Sequence, residues 1–287
     1  MPNKSEYFDM HAAPMRIGAV RLKVRDLDRV ASFYSSVLGL AEVAATRDRI
    51  TLGTDGVPLL ELAGDPGLVP NDGRQAGLFH TAFLMPSRAD LARWLTYAAA
   101  ARVPLQGASD HIVSEAIYLA DPEGNGIEVY ADRPVASWNG PDGAIAMTTE
   151  PLDVQALLAA ADGADWQGFP KGGIIGHVHL QVGDTAKADR FYKDIIGLDI
   201  AASYPGASFY GSGGYHHQLA GNVWNTRHAG ERPENMSGLD AVELILRDAT
   251  ERENITARAE SAGIDIGTGD RGINLRDPWG TTITLQN

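Results

Sequence analysis

Histidine is scarce in this chain, eight among 287 residues, and four of the eight fall in two short stretches. "IGHVHLQVGD" (175–184) carries His177 and His179, and "GGYHHQLAG" (213–221) carries His216 and His217. Imidazole is a nitrogen ligand for divalent metals and an acid–base group that titrates near neutral pH. Each stretch has an earlier near-copy without histidine. "IGAVRLKVRD" (17–26) places Ala19 and Arg21 where the later copy has His177 and His179, and "GVPLLELAG" (56–64) places Leu59 and Leu60 opposite His216 and His217. A lone strand histidine is more often hydrogen-bonded or on the surface than a ligand, and that reading is kept for His179, His228 and His11. Two matched stretches that are polar in one copy and apolar in the other point to chemistry in the later copy.

These stretches belong to a longer duplication: residues 17–40 align without gaps on residues 175–198. Val20, Leu22 and Val24 alternate with their neighbours, as do Val178, Leu180 and Val182, and a period of two predicts a strand. After Asp26 and Asp184, both good N-caps, apolar residues at Val30, Phe33, Tyr34, Val37 and Leu38 (Ala188, Phe191, Tyr192, Ile195 and Ile196 in the copy) predict an amphipathic helix. Gly39 or Gly197 ends it. A second unit follows each time: strand and helix over 77–105 leading to "AIYLADPEGNGIEVY" (116–130), and the same plan over 238–266 leading to "INLRDPWGTTITL" (273–285). The chain therefore reads as four β-α-β-β-β modules of an α+β protein. The expected parts are a mobile or docking tail over 1–14, one domain over 15–140, a connector with a short helix over 141–172, and a second domain over 173–287.

Composition narrows the partners. With 44% hydrophobic and 21% charged residues the chain is globular, and a net charge of −13 disfavours nucleic acid and anionic membrane surfaces. Cysteine is absent, which excludes disulfides, thiolate metal sites and thiol nucleophiles. The N-terminal residues have no apolar signal region, and no window is long and apolar enough for a membrane span, so a cytoplasmic protein acting on a small molecule is expected.

Four modules with "FYxxxLGL"-type helices and "DPxGxxIE"-type hairpins resemble the vicinal oxygen chelate superfamily of glyoxalases, bleomycin resistance proteins and extradiol dioxygenases. The resemblance runs from about residue 15 to the end of the chain, and in "SDHIVSEAIYLADPEGNGIEVYADRP" (109–134), "IIGHVHLQVGD" (174–184) and "GGYHHQLAGNVWN" (213–225) it is nearest to two-domain, CatE-like catechol-2,3-dioxygenases. It implies mixed sheets curled into cups, each built from two modules, with a divalent metal inside. The family's ligand positions fall on Ala19 and His177, His80 and Ala241, Glu128 and Thr284. Only a cup that joins modules two and three collects His80, Glu128 and His177, either within one chain or across a homo-oligomer.

Two imidazoles and one carboxylate on one face of an octahedral metal leave three adjacent positions open, the donor set of non-haem Fe(II) oxygenases. Mn(II) suits the same donors. The resemblance implies an Fe(II)-dependent extradiol dioxygenase taking a small catechol-type aromatic and O2, with His217 as acid–base residue and His216 as its rival. It implies further that Tyr118, ten residues before Glu128, donates to the substrate oxygen and that His111 lines the pocket mouth. Gln218 stands where relatives often have another histidine, affecting either substrate specificity or packing. Trp224, Tyr130 and Phe79 are candidates for walling an aromatic ring, with core packing as the alternative. Glu115 and Glu123 read as solvated loop residues.

Three rivals stand beside this reading. A hydroquinone-cleaving dioxygenase would use the same triad. A glyoxalase-like isomerase would want a further glutamate in the "YHHQL" strand, where Gln218 is uncharged. A metal-free protein that sequesters a drug in its cup would have no need of three matched donors.

Overall fold

The computed structural model describes residues 6–140, 143–269 and 271–287. Module one comprises β1 (Met15–Val24), α1 (Leu27–Phe33), β2 (Ala41–Ala45), β3 (Arg49–Thr54) and β4 (Val57–Gly64). Module two comprises β5 (Gly77–Leu84), α2 (Arg88–Ala100), β6 (Gly107–Asp110), β7 (Ser114–Ala120) and β8 (Gly126–Asp132). The connecting segment holds β9 (Glu150–Pro151) and α3 (Val154–Leu158). Module three is β10 (Ile174–Gln181), α4 (Thr185–Asp189), β11 (Asp199–Tyr204), β12 (Ala207–Gly211) and β13 (Leu219–Asn222). Module four is β14 (Gly238–Leu246), α5 (Ala249–Ser261), β15 (Ile266–Gly269), β16 (Gly272–Arg276) and β17 (Thr282–Gln286). No helix among the described residues is long and apolar enough to cross a membrane.

The strands form two mixed sheets, and each sheet takes one module from each sequence half. Modules one and four make an eight-stranded sheet of order β15-β16-β17-β14-β1-β4-β3-β2. Modules two and three make a nine-stranded sheet of order β11-β12-β13-β10-β5-β8-β7-β6-β9. The central antiparallel pairs β1–β14 and β10–β5 have the same register: Arg21 faces Ala241 in one, and His179 faces His80 in the other. The cup that gathers modules two and three thus closes within one chain.

Alternation sorts the side chains. Val20, Leu22, Val178 and Leu180 enter one continuous apolar core, whereas the residues between them turn toward the cups. The helices after β1 and β10 begin as α-helix but continue as π-helix over Tyr34–Leu38 and Arg190–Ile195, a departure from the regular helix that the spacing predicts. In these wide turns Tyr34 donates to Asp121 (3.4 Å) and Tyr192 to Asp277 (2.8 Å), the aspartates of the two "DPxG" hairpins. The tyrosine of the "FY" pair therefore ties each odd module to the even module that follows it. Near the N-terminus, Met10 and Ala13 are buried, and Phe8 lies against Trp138 and Tyr215.

Candidate metal centre

Three neighbouring strands at the middle of the nine-stranded sheet bring His177 (β10), His80 (β5) and Glu128 (β8) together. Ala82 is in register with both His177 and Glu128 and shares a face with His80. Its methyl group is too small to fill the space between them. A register shift in β10 just before His177 helps aim that ring, since a bulge re-directs the side chain beside it. Gly176 has no alternative there: a Cβ would stand 1.8 Å from the Tyr130 hydroxyl, which packs behind His177.

Glu128 Oε2 lies 2.9 Å from His80 Nε2 and 3.2 Å from His177 Nε2, and one donor atom from each residue falls within 4.8 Å of the others. Edges of about 3 Å match adjacent ligands of an octahedral ion with bonds of about 2.1 Å. All three side chains are buried. His80 Nε2 has no hydrogen-bond partner despite its burial, an orphaned donor site of the kind a bound cation satisfies. Burial brings His177 down to about 4, with Glu128 only partly opposing, so at neutral pH its ring is an unprotonated ligand. Burial pushes Glu128 up, but His177 and His80 more than offset it, and the carboxyl lies well below its ordinary range. Both shifts leave the donors ready for a divalent metal.

Above the triad is a cavity of about 280 Å³, and His217, Tyr118 and His111 line it along with the three donors. His217 Nδ1 is 2.9 Å from His216 Nδ1, and His216 Nε2 is 3.0 Å from Asp132 Oδ1. A carboxylate only accepts, so His216 donates from Nε2. With His216 neutral, its Nδ1 accepts from His217, which leaves the lone pair of His217 at Nε2 for the cavity. Burial, then the neighbouring His177 and His216, hold His217 well below its usual pKa, as an unprotonated base. On the opposite wall His111 Nδ1 donates to the Thr148 carbonyl (2.6 Å), and its Nε2 is 2.6 Å from the Tyr118 hydroxyl. Burial raises Tyr118 well above its usual pKa, with Glu128 adding to the effect, so it is a phenol rather than a phenolate.

The structure does not bring His216 or Gln218 to the cavity. His216 is fully buried behind His217, and the Gln218 amide nitrogen is spent on the carbonyls of Met15 (3.1 Å) and Ser212 (3.3 Å). Residues 213–218 are not strand, unlike β4, their counterpart in module one, because Gly213 and Gly214 adopt positive φ and these side chains are anchored elsewhere. Of the three aromatics weighed as walls, Phe79 and Trp224 line the cavity, while Tyr130 is core. Glu115 is also a correction: it is buried and paired with Arg88 and Arg133 rather than solvated. Glu123 folds back to accept from the backbone amides of Arg25 and Asp26.

His179 was read as an ordinary histidine, yet it lines the cavity, with Nε2 3.0 Å from the Asn222 amide. Its position two residues from His177, on the same strand face, carried that signal. Phe209 had no comparable signal, since it stands in no motif, and Asp132 lies in the resembling stretch 109–134 but nothing local marks its reach to His216.

The cup of modules one and four has a larger cavity, about 530 Å³, with a different floor. Ala19, Ala241 and Thr284 occupy the donor positions, and buried Glu61 gathers Arg21 (2.9 Å), Arg49 (2.6 Å) and Arg271 (2.9 Å). Burial pushes Glu61 up, but these guanidinium groups outweigh it and hold the carboxyl below its ordinary value.

Comparison with known proteins agrees with this architecture. The family model described as the Glyoxalase/Bleomycin resistance protein/Dioxygenase superfamily matches residues 16–129 and 174–285. A protein of Bacillus subtilis (strain 168) named "Catechol-2,3-dioxygenase" is 38% identical over 267 residues, covering 91% of this chain and 93% of the relative. Among solved structures, a putative dioxygenase from the same species superposes with a TM-score of 0.63 at 17% identity, covering 94% of this chain and 85% of that one. Glyoxalase I from Zea mays gives 0.57 at 15% identity, covering 96% and 93%. At such identities the solved structures speak to the fold alone.

Proposed function

The chain belongs to the Glyoxalase/Bleomycin resistance protein/Dioxygenase superfamily, and from that premise we propose that it is an Fe(II)-dependent extradiol dioxygenase acting on a catechol. The observation that carries the reading is the convergence of His80, Glu128 and His177 on a cavity that also presents His217. Fe(II) held by the triad would supply adjacent positions for both catechol oxygens and for O2, with Glu128 and a singly deprotonated catechol balancing its charge.

The chain's own residues do the remainder. His217 Nε2 takes the catechol proton and returns it as the ring opens, and its Nδ1 contact with His216 keeps the lone pair on the cavity side. Tyr118 holds a substrate oxygen, and His111, fixed at Nδ1 by Thr148, orients the phenol. The Tyr118 hydroxyl donates to His111 Nε2, and to donate to the substrate it must rotate away from that acceptor, so one proton serves two acceptors in turn. In the net reaction the aromatic carbon–carbon bond beside the diol breaks, both atoms of O2 enter the product, and O2 is the oxidant.

A glyoxalase-like isomerase is disfavoured because Glu128 is the only carboxylate among the described cavity-lining residues. The test is oxygen uptake by protein reconstituted anaerobically with Fe(II), offered catechols and hydroquinones, beside His177→Ala. Uptake with a yellow ring-opened product, absent in the variant, is expected. Uptake with hydroquinones alone would reassign the substrate. Absence of uptake from every aromatic by iron-loaded protein would overturn the proposal.

A further inference from the structure

No lysine or arginine lines the cavity above the triad among the described residues. One wall is aromatic: Phe79 lies 5.5 Å from Trp224 and 5.0 Å from His179, and Phe209 lies 5.6 Å from His179 and 5.1 Å from His217, measured between ring centroids. Trp224 and Tyr204, which also line the cavity, remain about half exposed. Arg133, just beyond β8, is committed to Asp110 and Glu115. The absence is local, since the other cup is lined by Arg21, Arg49 and Arg271.

Resting on the dioxygenase reading, we infer that the substrate is a catechol without a charged substituent, whose apolar group lies against Phe79, Phe209 and Trp224. The charge count gives the reason. One carboxylate and a singly deprotonated catechol already balance a divalent ion, so a carboxylate on the ring would be an unpaired anion against aromatic carbon. His179 offers no cation to meet it, because its Nε2 accepts from the Asn222 amide, 3.0 Å away, and so carries a lone pair. A methyl or phenyl group gains apolar contact with the same wall.

The experiment uses iron-loaded protein with catechol, a methyl-substituted and a phenyl-substituted catechol, protocatechuate and homoprotocatechuate. Oxygen uptake gives kcat/KM, and anaerobic calorimetric titration gives Kd. Expected is a kcat/KM at least about a hundredfold lower for both carboxylated compounds than for catechol, the same order in Kd, and no loss for the methyl compound. Trp224→Arg should raise the ratio of protocatechuate to catechol at least about tenfold. A carboxylated catechol handled as well as catechol, or an unchanged ratio in folded Trp224→Arg, overturns the inference and leaves the dioxygenase reading intact. Binding in the expected order without ring opening does the reverse. Failure of every catechol to bind overturns both.

Discussion

At three equivalent positions the two cups of this protein diverge: one holds His177, His80 and Glu128, the other Ala19, Ala241 and Thr284. Both cups nevertheless contain a buried carboxylate. Glu61 takes its counter-charge from three arginines, and Arg271 extends the cluster to Glu243, whose other oxygen accepts from the Ala19 amide. Glu128 is paired with no lysine or arginine among the described residues, only with two imidazoles. A buried charge without a partner is costly, so the second arrangement calls for a cation from outside the chain. The arginine cup supplies its own positive charge, and the histidine cup leaves that place to a metal.

The contrast breaks first at Glu128. Glu128→Gln should lose bound metal and bring oxygen uptake to background, whereas Glu61→Gln should leave metal content and uptake unchanged. Metal analysis after desalting, beside uptake, checks both.

Acid should separate the cups next. His177 has an ordinary value of 6.5 and a folded value of about 4, so in that window the unfolded chain binds more protons and stability rises with pH. Metal-free protein should therefore lose up to roughly 3 kcal/mol from His177 as pH falls through the window. His179 and His217, also lowered, add in the same direction. Glu61 is lowered from 4.5, so its contribution is present above that value and is lost only as pH falls through its lower folded pKa. Urea denaturation of the metal-free protein between pH 6.5 and 5 then samples the histidine cup before Glu61 titrates, and His177→Gln should flatten the slope.

The arginine cup gives the smaller stability effect. Glu61→Gln removes the central acceptor of three guanidinium groups, but their side chains are 29–50% exposed and can turn to water. A loss of about 2 kcal/mol is expected, below the range for breaking a fully buried pair. Denaturation of the metal-loaded protein measures it, and a loss of bound metal in this variant would show that the cups are not independent.

Much of this difference was legible in the chain because duplication supplies its own control: Ala19 beside His177 and Leu60 beside His217 are visible without coordinates. Alternation placed His177 and Glu128 on the cavity face, since a period of two fixes sidedness wherever the opposite face is apolar. The pairing of modules two and three within one chain was not legible, because strand neighbours across sheets are chosen by packing over long sequence distances. Glu115 was misread for a related reason: its partners Arg88 and Arg133 come from a helix and from beyond β8, and nothing local announces them. The helices after β1 and β10 showed their apolar spacing but not their π-turns, which accompany the reach of Tyr34 and Tyr192 to distant aspartates.

The last difference lies in the strand before each cup's wall. In module one Val57–Gly64 is continuous, and Leu59 and Leu60 are buried apolar residues. In module three the same stretch is irregular until Leu219, which lets consecutive histidines do different things: His217 lines the cavity and His216 reaches back to Asp132. A regular strand would send them to opposite faces and break the Nδ1–Nδ1 contact. Asp132 therefore acts as a positioning residue, holding His216 in the tautomer that accepts from His217. Asp132→Asn can present an amide proton to His216 Nε2, which favours the opposite tautomer and turns the lone pair of His217 away from the cavity. Expected is a fall in kcat of about ten- to a hundredfold, the range for outer partners of a site, with metal content and KM little changed. Nitrogen NMR of labelled metal-free protein should show the His217 tautomer change directly. A reduced kcat with an unaltered tautomer would make Asp132 a packing residue and leave the broken strand without its chemical reason.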